Sequence, residues 1–425
     1  MAPDEMIHLT RDPLPVELLL KIFLAANEIP EREQIRLAMF LRIASVCHQW
    51  RQIIFSTSGF VNKFTMTHRL EKGEGPLARI LERGQSWLAL SDPLPCTLKV
   101  TLNGHKLCDE HPPLSLFQPL FLSISSRLHD LMLVGHDHYW EELLATLPPL
   151  PNLRTYRSLS SCGKQTQTLD LTFSPNIPWS ELTMLAIRER YTVHIEDPIE
   201  SLFRCPNLTT FYYRCSFSEP TSTHPIVTRS PQQFLHLKRI SIDLDPGSAG
   251  DTIILLFQSL RLPALEDLYI KAETWETVDV SFVFNKLYER DPFKLRLLNL
   301  EGITIHVDSL TNLLSVLPFL ESLELCSISC PYDALLRNLI FSPKDKNPML
   351  PRLEMVTIRQ REFDAGVGTV VDFVESRWWV DDGGSEREPS LRTFKLVGGK
   401  LDLKEKVLLW KSQGMDIEYK DEGWQ

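Results

Sequence analysis

A single phrase, recurring ten times, constrains this chain more than any other feature. A leucine, two variable residues, an apolar residue, one variable residue and a further apolar or small residue appear as RLHDLML, NLRTYRS, ELTMLAI, NLTTFYY, HLKRISI, ALEDLYI, KLRLLNL, FLESLEL, RLEMVTI and SLRTFKL. The leading leucines are Leu128, Leu153, Leu182, Leu208, Leu237, Leu265, Leu295, Leu320, Leu353 and Leu391, spaced 25 to 38 residues apart. Alternation inside the phrase predicts a short strand that buries one face. A proline often stands just ahead, as in LPPLPNL, LRLPAL and MLPRL. It ends the preceding helix and releases the chain in an extended conformation.

Between phrases, DTIILLFQSLRLP, VDSLTNLLSVLP, YDALLRNLIF and VVDFVESRWW carry apolar residues at helical spacing. Strand, helix and parallel strand is the connection a parallel sheet requires. A period in this range with an L-x-x-L-x-L core is the signature of leucine-rich repeats. The expected fold class is therefore α/β: a leucine-rich-repeat solenoid over residues 121–425, with a curved parallel sheet and outer helices. The competing reading is an ordinary α/β domain with leucine-rich strands. The asparagine that often follows the strand core in such repeats is missing; Ser161, Arg190, Ser216, Asp245 and Glu273 stand there, so irregular repeats are expected. The acidic stretch VDDGGSEREPS at 380–390 predicts an exposed loop. LDLKEKVLLWKSQGMDIEY predicts a final helix, a stop at Gly414 and a short capping strand.

Two helical stretches precede the repeats. In RIASVCHQWRQIIF the apolar positions Ile43, Val46, Cys47, Trp50, Ile53 and Ile54 follow helical periodicity. In LPVELLLKIFLAAN, Leu19, Leu20, Phe23 and Leu24 share one stripe, and Leu18 and Ile22 another. One stripe packs inside a unit this small; the other is left for a partner.

Asp12-Pro13-Leu14-Pro15, Glu17, Ile22-Phe23, Val46-Cys47, Trp50-Arg51 and Ile54, with Phe60 beyond, resemble the F-box motif of LPxE, an IF pair and VCxxWR. The resemblance covers residues 12–66 and leaves 67–120 as a connecting region. LERGQSWLALSDPL looks like the F-box and leucine-rich-repeat family abundant in mushroom-forming (basidiomycete) fungi, and the insert NEIPEREQIRLAMF is longer than in many F-boxes. The resemblance implies a small all-α F-box domain that docks a Skp-family adaptor. Through that adaptor come a cullin, a RING subunit and a ubiquitin-conjugating enzyme. Leu14, Pro15, Ile22 and Phe23 are expected at the adaptor face, with Val46 and Trp50 supporting the packing. The implied function is substrate receptor of a ubiquitin ligase complex; the alternatives are a non-ubiquitinating interaction scaffold built on the repeats, and a plain helical hairpin packed on the first repeat.

The positions two, four and six residues after each leading leucine are expected to line the concave face. Arg157, Arg188, Arg214 and Arg239 come from four consecutive repeats, with Tyr212 among them and Tyr269 further along. One cationic stripe is expected, receiving an acidic or phosphorylated segment of an unknown protein target. Asp243, Asp267, Glu301 and Glu324 would meet groups of opposite sign. The other reading is a solvated face whose charges maintain solubility.

Composition narrows the remaining classes. The net charge of -10 argues against general nucleic-acid binding. MAPDEMIHLTRDPLP has no apolar h-region, and runs such as IILLF are too short to cross a bilayer. Eight scattered cysteines fit reduced thiols in the cytosol or nucleus. Gly135-His136-Asp137-His138 lacks a third ligand cluster, and Cys326 and Cys330 lack a second pair at zinc spacing. Gly366-Val367-Gly368 lacks the Gly-Lys-Ser/Thr of a phosphate loop, and neither a nucleophile elbow nor a kinase signature is present. A non-catalytic protein without cofactor or metal is expected.

Overall fold

The computed structural model describes residues 14–28, 42–57, 60, 62–69, 73–103, 112–160, 174–189, 196–215, 231–244, 256–272, 287–341, 348–378, 391–399 and 401–420. The expected loop at 380–390, the five residues standing in place of the missing asparagine, and most of the insert NEIPEREQIRLAMF lie outside them. The chain divides into two compact units, residues 1–132 with 146–152, and residues 133–145 with 153–425.

All ten phrases form strands, and two strands precede them. The first are β1 (Lys63–Arg69), β2 (Cys96–Asn103), β3 (Leu128–Gly135), β4 (Thr155–Ser160), β5 (Met184–Glu189) and β6 (Thr210–Cys215). A two-residue strand β7 (Gln232–Gln233) precedes β8 (Arg239–Leu244), and a second, β9 (Leu260–Arg261), precedes β10 (Asp267–Ala272). The last are β11 (Leu297–Glu301), β12 (Ser322–Cys326), β13 (Met355–Arg359), β14 (Thr393–Val397) and β15 (Asp416–Lys420). Thirteen of them follow chain order in one sheet, and every printed pairing is parallel; β7 and β9 pair only with each other. This is an α/β architecture consistent with a leucine-rich-repeat solenoid. All ten leading leucines are buried, at 0–1% exposure. Each contributes about 1.5–3 kcal/mol by leaving water.

The first unit holds a small helical region and the earliest strands. It includes helices α1 (Val16–Glu28) and α2 (His48–Ser56), the latter preceded by a helical turn at 42–46. Helix α3 (Glu74–Ala89) follows β1, and α4 (Gln118–Ile124) precedes β3. Within 67–120 the described residues already include strand and helix, and β1 pairs in parallel with β2 from Lys63 onward. Helix α3 approaches β1 through Gly84, where a Cβ would collide with the Phe64 ring. The Trp87 indole N–H donates to the Lys63 carbonyl at 3.2 Å. Arg127 closes the end of α3 with bonds to the carbonyls of Leu88 (3.0 Å) and Leu94 (3.2 Å).

The second unit carries α5 (Asp137–Thr146), α6 (Glu196–Phe203), α7 (Val307–Ser315), α8 (Tyr332–Leu339), α9 (Val367–Trp378) and α10 (Lys404–Ser412). Three of the expected crossover helices are α7, α8 and α9. Of the fourth, DTIILLFQSLRLP, residues 251–255 lie outside the described ones; 256–258 are helical, and Leu260–Arg261 form β9. Backbone bonding to Gln232–Gln233 and the ensuing Pro263 extend the chain there. The closing helix, the Gly414 stop at φ 94° and the strand β15 stand as expected.

Polar contacts join successive repeats. Asp364 accepts the Tyr332 N–H at 2.8 Å at the start of α8. In return Asp333, on α8, accepts from the Thr369 hydroxyl (2.6 Å) and the Gly366 N–H (3.2 Å) at the start of α9. These bonds satisfy amides that a helix start leaves unpaired. The buried Arg377 guanidinium holds three carbonyls, Leu339 (2.8 Å), Leu350 (3.0 Å) and Met349 (2.8 Å). Burial pushes its pKa down to about 10.

Candidate functional site

Two surfaces present groups that the fold itself leaves unused. The first is on α1. Leu19 and Phe23 face inward at 2% and 1% exposure, while Leu14, Leu18 and Ile22 are about half exposed. Four-residue spacing sets those three along one side of the chain entering and forming α1. The two-stripe reading of this helix thus fits, but Phe23 belongs to the inner stripe and not to the outward face. Its ring meets Trp50 edge-on at 5.2 Å and Phe60 at 6.4 Å. Trp50 is half-buried against that ring, and Pro15 is exposed.

Val46 departs from its expected supporting role: it is 61% exposed. The helical count resets at Cys47, whose extended backbone (φ -157°, ψ 171°) separates 42–46 from α2. The Cys47 thiol then caps α2 by accepting the Trp50 N–H at 3.5 Å. A single period drawn through Ile43, Val46, Trp50 and Ile54 runs straight across that break.

The second surface is the strand face of the second unit, formed by the positions read from sequence. Register resolves it into three rows. The first contains Thr155, Met184, Thr210, Arg239 and Asp267. The second contains Arg157, Ala186, Tyr212, Ser241, Tyr269, Asn299 and Glu324. The third contains Leu159, Arg188, Arg214, Asp243, Lys271, Glu301 and Cys326. The four arginines expected in one stripe therefore occupy three rows, and only Arg188 and Arg214 are register partners.

Their electrostatics differ as well. Arg214 pairs with Asp243 at 3.2 Å and Arg239 with Asp267 at 2.7 Å, each across one strand step. Lys271 pairs with Glu301 at 2.7 Å, and the Tyr269 hydroxyl donates to the same carboxylate at 2.8 Å. Burial acts to raise the Glu301 pKa, but hydrogen bonds from Lys271 and Tyr269 outweigh it and hold the carboxyl below its usual range. Burial, then the bond to Glu301, pushes the Tyr269 phenol upward. The Asn299 amide donates to Glu324 at 2.6 Å. Asp243, Asp267 and Glu301 thus answer cations of the chain itself, a pairing that cannot be read before the register is known.

Cys326 and Cys330 are free thiols, raised by burial to about 11 and about 12. Gly135 ends β3, and 137 already begins α5. Among the described residues there is no cluster of three or more His, Cys, Asp or Glu side chains able to hold a metal, and no helix long and apolar enough to cross a membrane.

The fold and its two surfaces define a repeat protein with a small N-terminal helical region. A scan against protein-family models finds no match, and a search of curated proteins finds no similar sequence.

Proposed function

We propose that this protein is the substrate-recognition subunit of a Skp–cullin–F-box ubiquitin ligase, acting in the cytoplasm or nucleus. Its N-terminal helices dock the Skp-family adaptor and its repeats hold the protein to be modified. The chemistry of ubiquitin transfer then belongs to other subunits, and this chain needs neither cofactor nor metal. One observation carries the reading. The residues at the LPxE and IF positions of the F-box resemblance include Leu14, in the chain entering α1, and Ile22, on the outer side of that helix, both exposed apolar side chains, while Leu19 and Phe23 on its inner side are packed. Val46, at the VC position, is likewise exposed. Full burial of such a side chain contributes about 1.5–3 kcal/mol; these are roughly half exposed, so covering each contributes about half of that, and together they supply part of the free energy of a complex.

The test is co-purification of the full chain with a Skp-family adaptor and cullin from co-expressing cells, beside an Ile22→Lys, Val46→Lys variant. The reading expects both partners with the native chain and at least about a tenfold loss with the variant, at an unchanged melting temperature. Adaptor without cullin points to a scaffold, and absence of both with the native chain removes the F-box reading.

A further inference from the structure

We infer that the edge at which the chain enters β11, β12 and β13 binds an extended acidic segment of a partner protein. Lys294, Phe319 and Arg352 form the receiving surface. The inference goes beyond the ligase reading and does not need it, because neither the outer side of α1 nor the strand face takes part.

The three residues hold one equivalent position. Register sets Leu297, Ser322 and Met355 side by side. Lys294, Phe319 and Arg352 each stand three residues ahead of these, and one residue ahead of a leading leucine. In earlier repeats this position ties a repeat to its neighbour. Asn152 and Asn207 donate to the carbonyls of Ser126 and Ser180 at 2.6 and 2.8 Å, and Glu181 pairs with Arg154 at 3.8 Å. Ahead of β11, β12 and β13 it carries instead a phenyl ring between two cations. The Arg352 guanidinium lies 5.0 Å and the Lys294 ammonium 5.7 Å from the centroid of the Phe319 ring.

The charge here is unlike that of the adjoining row. One residue further along, Lys238 is answered by Glu266, Arg296 by Glu321 and Arg392 by Glu354. Among the described residues Lys294 and Arg352 have no carboxylate partner, and both are exposed. Two like charges drawn to one ring repel each other, and a carboxylate brought to each relieves that repulsion. Between them the half-buried ring and the exposed Pro292, Pro318 and Pro351 offer an apolar floor.

Spacing selects the shape of the segment. Strands lie about 4.8 Å apart, so the two cations are rooted about 10 Å apart. A polyproline II chain rises about 3.1 Å per residue with about three residues per turn, so side chains three apart share one face at about 9 Å. Carboxylates at that spacing meet both cations while the chain between them lies over Phe319. The net charge of -10 opposes a long polyanion, whereas a short segment feels chiefly the charges within about 8–10 Å.

The test passes the full chain over immobilised peptides of repeating Glu-Pro-Pro, beside Gln-Pro-Pro and Lys-Pro-Pro repeats and single-stranded DNA. Glu-Pro-Pro is expected to retain the protein at least about fivefold better than the other three, and to lose that advantage at high salt. Lys294→Gln with Arg352→Gln is expected to abolish the preference at an unchanged melting temperature, both side chains being exposed. Phe319→Leu, which keeps an apolar side chain but removes the ring, is expected to weaken it. Equal retention on Glu-Pro-Pro and Gln-Pro-Pro overturns the proposal, as does a preference that survives removal of both cations. Retention on DNA equal to that on Glu-Pro-Pro overturns it too, since the surface would then take polyanions at large.

Discussion

Cys205 has no exposed surface, and burial pushes its thiol up to about 12. Cys96, likewise buried, is pushed up to about 11. Such a group keeps its proton in the folded chain at pH values where the unfolded chain, near 8.5, has released it. Between those values the folded state binds more protons, so stability is full below about pH 8.5 and falls as pH rises toward 12. Each such thiol contributes a loss of roughly 1 kcal/mol per pH unit across that window. Urea midpoints measured from pH 8 to 10.5 should therefore decline, and Cys205→Ala should show a shallower decline, whatever its fixed cost from lost packing. At this scale the sequence was informative about burial and poor about pairing. The ten leading leucines are where periodicity predicts, because a two-residue alternation leaves a strand only one inner face. Arg214 and Arg239 were read as open cations, because the carboxylates that answer them come from other repeats.

At the scale of elements, the phrases found ten strands and missed β1 and β2. The reason is local: the position of the leading leucine is Val61 ahead of Phe64 and Met66, and Pro95 ahead of Leu98 and Val100. The alternation that drives strand burial is intact in both, so the leucine was a narrower signal than the physics behind it. Helix α3 against β1 depends on one missing side chain. Gly84→Leu would drive at least a Cβ into the Phe64 ring, and overfilling of this kind costs about 1–3 kcal/mol. Chemical denaturation of the Gly84→Leu variant should show that loss, and Phe64→Ala introduced beside it should cost less than it does in the native background. Additive losses would mean that the two residues do not meet.

For the molecule as a whole, chain order in the sheet makes stability a matter of neighbours. In the second unit β14 is covered on one side by β15, and Phe394, Leu396 and Trp410 are buried there. Removing residues 401–420 should bare the β14 backbone edge and these apolar groups. Increased binding of a hydrophobic dye and concentration-dependent aggregation are the expected readouts; an unchanged monomeric, dye-free protein would show that β15 is dispensable. The repeat architecture was legible because every unit restates it. The candidate faces were legible only in part. Ile22 could be read as outward from one helix, but Val46 required the break at Cys47, and the separation of the arginines into three rows required the alignment of the strands.

The two kinds of contact between repeats carry different consequences for exchange of units. Asn152 and Asn207 each donate to a main-chain carbonyl of the preceding repeat, that of Ser126 and of Ser180, and any graft supplies a carbonyl. The bonds of Asp333 and Asp364 are reciprocal: each repeat caps a helix of the other. A graft joined between residues 341 and 348 would bring half of that exchange and strand the other half. The repeats around α8 and α9 are thus inherited as a couple, while those joined by the asparagines are free to be swapped singly.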